Sequence, residues 1–154
     1  MWFEGPSTLA AQTWNNAPGN FSFTKGSFNS GNLILGDFQS DVGAAYFSDI
    51  PGWPSSWVGG CQRVLINGRI AYFDILYNLE KPFGNGKSNN FADRQGVGTH
   101  EFGHALGLGD SYNYYNPPTM YFSVIDIWGE NISYDMRTLE YDDRMGKQYI
   151  AGQI

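Results

Sequence analysis

The residues able to do chemistry are concentrated in one stretch, Thr-His-Glu-Phe-Gly-His-Ala-Leu-Gly-Leu-Gly-Asp, residues 99–110. On a helix, His100 and His104 stand one turn apart on the same side, so both imidazoles reach one metal ion. Glu101 lies beside the first His, placed to accept a proton from a metal-bound water without being a ligand. This is the H-E-x-x-H arrangement of a zinc hydrolase, with the Glu as general base. Two His and a water leave one protein ligand to be found. Gly107 gives the helix a place to stop and reverse, since glycine accepts a left-handed conformation without steric cost. Asp110 follows three residues later with a carboxylate suited to the vacant position. The bland alternative is an amphipathic helix with a glycine cap and two incidental histidines. It would leave two His and a Glu on one face without a use.

The run H-E-x-x-H-x-x-G-x-x-D resembles the metzincin clan of zinc endopeptidases. Glu-Phe-Gly-His-Ala-Leu-Gly-Leu-Gly is similar to the matrixin-like branch, and an Asp third ligand is similar to snapalysin-type enzymes. The resemblance extends to Thr119-Met120-Tyr121, which is similar to the Met-turn of that clan. There the methionine is an apolar floor under the His ligands and not itself a ligand. Phe122 stands where some relatives carry a Tyr, so a hydroxyl at that point is absent. The stretch from Tyr121 to Trp128 would wall the pocket for the side chain after the scissile bond, and its apolar make-up implies an apolar preference. The resemblance implies one catalytic Zn²⁺ on His100, His104 and Asp110, with Glu101 as base. It also implies a protein or peptide substrate and a monomer secreted to the cell exterior.

The totals agree with that reading. A chain of 154 residues suits a single domain, 1–154, with a real core. Its formal charge of −6 argues against a nucleic-acid partner, whose phosphates would need a basic face. No apolar run approaches the roughly 20 residues of a membrane span. The two motif histidines are the only ones, so one zinc is the ceiling. Calcium is compatible with the resemblance, but its ligands are not readable; Asp37, Asp41 and Asp74 are unconvincing candidates. Cys61 is the only cysteine, which excludes an intramolecular disulfide. It lacks the sequence surroundings of a zinc-capping propeptide thiol, and a free, partly buried thiol is expected. The first residues, Met-Trp-Phe-Glu-Gly-Pro, have no signal-peptide character. By the resemblance, whose members are mostly secreted as precursors, a signal and propeptide would lie upstream.

Several elements must position the site. Ser7–Asn16 reads as a short helix capped by Ser7 or Thr8, with Leu9 and Trp14 on its apolar side. Residues 21–24, 32–38, 42–47 and 69–78 read as extended, the last most strongly. By resemblance, 42–47 is the antiparallel edge strand forming the rim of the cleft, which puts Ala44, Ala45 and Tyr46 with Tyr121 and Phe122 against substrate. The loop 51–60 carries two Trp, expected to pack on the sheet. The site helix should start near 92–95, capped by Asn90 or Asp93, and run to Leu106. Its Gly96, Gly98 and Gly103 imply close packing against the sheet. A last helix over 137–150 is expected, capped by Thr138, with Asp142 and Asp143 in its first turn. The fold class is then α+β of zincin type: a twisted mixed sheet with an antiparallel edge strand, a site helix and a C-terminal helix, its first strand missing. Two other functions fit the same motif. One is a non-catalytic zinc-binding module of a surface or adhesion protein, for which Glu101 would be superfluous. The other is a zinc amidase acting on a non-protein substrate.

Overall fold

A computed structural model describes residues 3–26 and 35–152. Helix α1 (Glu4–Asn15) comes first, followed by strands β1 (Asp41–Ala45), β2 (Gly59–Ile66) and β3 (Arg69–Asn78). Two short strands, β4 (Phe83–Gly84) and β5 (Ala92–Asp93), lead into α2 (Arg94–Leu106), and α3 (Tyr141–Ala151) closes the chain. The fold is α+β with a small mixed sheet in the order β1-β3-β2. No described helix is long and apolar enough to cross a membrane.

β3 is central because its apolar residues serve both faces, with Ile75, Leu76 and Tyr77 fully buried. β2 returns to it through Asn67-Gly68, whose φ values of 53° and 76° are those of a type I′ hairpin turn. β1 pairs with β3 in parallel, Asp41 opposite Asp74 and Ala45 opposite Asn78. The antiparallel edge strand is therefore β2, with Gly59 opposite Tyr77 and Cys61 opposite Ile75. This corrects the assignment of 42–47 to that role. Strand composition does not encode direction; the partner and the connection do, and here the tight hairpin makes β2 the antiparallel strand.

α1 and α2 lie together on one face of the sheet. The core gathers Ala10, Trp14, Ile75, Phe102, Ala105, Leu106 and Met120. Trp14 satisfies its buried indole by donating to the Thr99 carbonyl at 2.7 Å. α1 starts earlier than expected, at Glu4, and Ser7 is not its cap. Ser7 lies buried within it, 3.0 Å from the Tyr77 hydroxyl, and Thr8 donates back to the Glu4 carbonyl. Pro6 is tolerated because the first turn has no intrahelical acceptor for the N–H it lacks. Trp14 is buried as expected, but Leu9 is half exposed and Ala10 takes the inner position.

Residues 21–24 form no strand, and Leu35–Phe38 form a turn in which Gly36 and Phe38 have φ of 76° and 70°. The remainder of the expected 32–38 strand lies outside the described residues. The C-terminal helix begins at Tyr141 and not at 137. Glu140 caps it through a reciprocal capping box with Asp143. Arg137 is held in a short 3-10 turn by its bidentate pairing with Asp93, and Thr138 is extended, so neither can join the helix.

Candidate metal centre and cleft

α2 builds the site. Asp93 is its N-cap, accepting the Gly96 N–H at 2.9 Å, and Arg137 fixes the Asp93 carboxylate by two bonds of 2.7 and 2.6 Å. Gly107, at φ 110°, ends the helix in the left-handed conformation and sends the chain on toward Asp110.

The glycines within α2 mark its contacts. A Cβ at Gly96 would lie 1.6 Å from the Ser133 carbonyl oxygen, and one at Gly98 would lie 2.3 Å from the Tyr77 hydroxyl. A Cβ at Gly103 would lie 2.1 Å from the Met120 sulfur and 2.8 Å from Trp14. Close packing is therefore the reason for these glycines, but only Gly98 meets the sheet. The others admit the 131–137 loop, Trp14 and the bend carrying Met120.

His100 and His104 present the same arrangement. The Nδ1 of His100 is 2.9 Å from the Thr119 carbonyl, and that of His104 is 2.9 Å from the Leu108 carbonyl. Carbonyls only accept, so both rings carry their proton on Nδ1 and direct an Nε2 lone pair outward. These two Nε2 atoms are 3.0 Å apart, and Asp110 Oδ1 is 3.5 and 3.3 Å from them. Three acceptors facing one another have no proton to share, which is the condition a cation relieves. Tetrahedral zinc at 2.0–2.1 Å requires ligand atoms about 3.3–3.4 Å apart, close to what is found. The His100-His104-Asp110 group can hold a metal ion. Burial, with His104 second, lowers the His100 pKa to about 4, which keeps the imidazole neutral and able to ligate.

The floor is held from below. Met120 is buried against Gly103. Asp143 accepts the N–H groups of both Thr119 and Met120, at 3.0 and 3.2 Å, and Glu140 accepts Thr119 N–H at 2.7 Å. The first turn of α3 thereby sets the bend whose Thr119 carbonyl orients His100. Asp142 and Asp143 do lie in that turn, as expected.

Glu101 is 5 % exposed, and its Oε2 is buried without a hydrogen-bond partner. Burial, and secondly the Asp110 carboxylate, raise its pKa to about 8. It shares with both His and Asp110 a cleft of about 750 Å³. One wall is the free edge of β2 from Gly59 to Arg63, with Trp57 just before it; the other runs from Tyr121 to Ile125. Tyr121 and Phe122 line the cleft as expected. Ala44, Ala45 and Tyr46 do not, because β1 lies at the far edge of the sheet. Of the two Trp in loop 51–60, Trp53 packs edge-on against Phe47 and over Gly60, while Trp57 is half exposed in the cleft. Cys61 is free and lines the cleft; burial first, then the Glu101 charge, push its thiol pKa well up.

Sequence reasoning missed Gly59, where a Cβ would lie 2.9 Å from Glu101 Oε1 and 2.9 Å from Val97. It also missed Arg63, which donates to the His104 carbonyl at 2.8 Å and ties β2 to α2. The Asn67-Gly68 turn ahead of the strongest strand was the signal for β2. Neither protein-family models nor curated proteins give a match to the chain.

Proposed function

We propose that the chain is a zinc-dependent endopeptidase of metzincin type, resembling the matrixins but with Asp110 as the third ligand. The observation carrying this reading is the pairing of a convergent His100–His104–Asp110 acceptor set with a buried, unpartnered Glu101 in one open cleft. A metal-only module has no use for a carboxylate buried at such cost beside the ligands.

When bound, zinc supplies a Lewis acid that acidifies a water and polarises the scissile carbonyl. The Thr119 and Leu108 carbonyls keep both imidazoles in the tautomer that ligates. Glu101 takes the proton from the attacking water and delivers it to the leaving amine nitrogen. The free edge of β2 offers unpaired N–H and C=O groups to which an extended peptide adds as one more strand. Trp57 on one wall and Phe122 and Ile125 on the other favour apolar side chains beside the bond cut. Secretion to the cell exterior and a monomeric state belong to the same proposal.

The test is hydrolysis of casein and of a quenched peptide by apo and zinc-reconstituted protein, with the product identified. New peptide amino termini appearing only with zinc support an endopeptidase. Release of ammonia or of a non-peptide amine supports the amidase instead. Zinc bound at one per chain with neither product supports a binding module.

A further inference from the structure

Side chains alternate along a strand, so Gly59, Cys61 and Arg63 share one face of β2, ahead of the register shift between Val64 and Leu65. That face looks toward α2: a Cβ on Gly59 would meet Val97 and Glu101, and Cys61 packs on the core beneath the helix. Arg63 lines the cleft farther along and donates from Nη1 to the His104 carbonyl at 2.8 Å. β2 and α2 therefore run in the same sense along the cleft, from Gly59 beside Val97 to Arg63 beside His104.

The bond to His104 uses one of the five N–H donors of a guanidinium. Among the described residues, no carboxylate pairs with Arg63. A cation at the C-terminal end of α2 suits the helix dipole, but that role needs neither a fork of donors nor a place in the cleft. The charged residues lining the cleft are Arg63, Lys81, Glu101 and Asp110. Lys81 follows the end of β3 that pairs with Gly59, so the two cations stand at opposite ends. A chain of formal charge −6 thus keeps a cation at each end of its cleft, which draws in acidic ligands.

We propose that Arg63 is a specificity-determining residue, binding a substrate carboxylate side chain on the amino-terminal side of the bond cut. The proposal rests on the peptidase reading. Antiparallel pairing is the commoner kind, and a peptide antiparallel to β2 enters at Arg63 and leaves past Gly59 and Trp57. The bond cut lies at the metal ligands and Glu101, so the residues preceding it lie toward Arg63. There a glutamate accepts two parallel bonds from the fork, whereas glutamine of the same shape offers one oxygen and no charge.

The experiment measures binding of labelled peptides to zinc-loaded Glu101→Gln protein by fluorescence anisotropy, and their cleavage by wild type. The peptides share one apolar frame and carry Glu, Gln or Lys at successive positions. Glu before the bond cut is preferred over Gln about five- to tenfold, and the preference shrinks as NaCl rises to about 0.5 M. Adding Arg63→Met brings the ratio to about one, Arg63→Lys keeps part of it, and Arg63→Glu reverses it in favour of Lys. Each ratio is taken within one variant, so any loosening of β2 from α2 cancels. Lys81→Met leaves the ratio standing. A Glu preference in binding that depends on Arg63, with no peptide cut by wild type, supports the subsite and overturns the peptidase reading alone. The proposal is overturned if no peptide binds, if the preference survives Arg63→Met or falls equally in Lys81→Met, or if it lies only after the bond cut.

Discussion

Replacing Gly96 by alanine tests how the site helix is anchored. Gly96 is the third residue of α2, and an added Cβ would lie 1.6 Å from the Ser133 carbonyl oxygen and 2.8 Å from the carbonyl carbon. Relief to an ordinary contact requires roughly 1.5–2 Å of movement. The obstacle is backbone, so no side-chain rotation can provide it. Ser133 is 1 % exposed, and its hydroxyl accepts the Asp93 N–H at 2.8 Å. Its displacement therefore loosens the residue that caps α2. Overpacking costs about 1–3 kcal/mol, and the lost buried hydrogen bond costs about 1 kcal/mol. The helix-propensity gain of alanine over glycine offsets about 1 kcal/mol. The net loss is about 1–3 kcal/mol, a fall in Tm of about 2–12 °C for a chain of this size. Gly5→Ala is the control: apart from its chain neighbours nothing lies within 4 Å of its Cβ position, and with Pro6 following it the stability should change by less than about 1 kcal/mol. Thermal unfolding followed by circular dichroism measures both. A Gly96→Ala protein at least as stable as wild type would refute the packing of the 131–137 loop on α2.

Gly59→Ala pushes a methyl toward Glu101 and should lower kcat/KM at least about tenfold with zinc content unchanged, since sub-ångström misplacement of a base is costly. Unaltered kinetics would remove Gly59 from the site. Arg137→Met leaves the fully buried Asp93 carboxylate with its backbone donors but without its guanidinium and should cost about 3 kcal/mol in urea unfolding; a loss below about 1 kcal/mol would count against the pairing. Glu140 has its pKa raised from 4.5 to about 7, by burial first and then by its hydrogen bond with Asp143. The folded state thus binds this proton more tightly, so stability falls as pH rises from about 4.5 to about 7 and is flat beyond. Glu140→Gln should lose that segment of the pH dependence, read from urea midpoints at pH 5 and 7.5. Equal pH dependence in both proteins would contradict it.

The convergence of His100, His104 and Asp110 was legible because its geometry is local. Helical spacing of four, a glycine that reverses the chain and an aspartate three residues on fix three side chains within eleven residues. The floor was legible only through resemblance, since nothing in Thr119-Met120 alone points to Gly103 or Asp143. What failed depends on contacts distant in sequence. β2 buries few of its residues and so carries little hydrophobic alternation, and only its hairpin turn announces it. Which edge strand runs antiparallel is decided by connection, so the cleft was assigned to Ala44–Tyr46 in place of Gly59–Arg63. Thr138 is a good cap by type, but Arg137 is already committed to Asp93, and the start of α3 moves to Glu140.

The most direct test of the central claim compares wild type with Glu101→Gln, measuring bound zinc and quenched-peptide hydrolysis on the same samples. Glutamine keeps the shape of the buried side chain and removes its ability to take a proton. Both proteins should bind one zinc per chain, with hydrolysis in Glu101→Gln reduced about 10²–10⁴-fold. Undiminished hydrolysis in the variant, or a zinc-loaded wild type that cuts no peptide, would contradict the account.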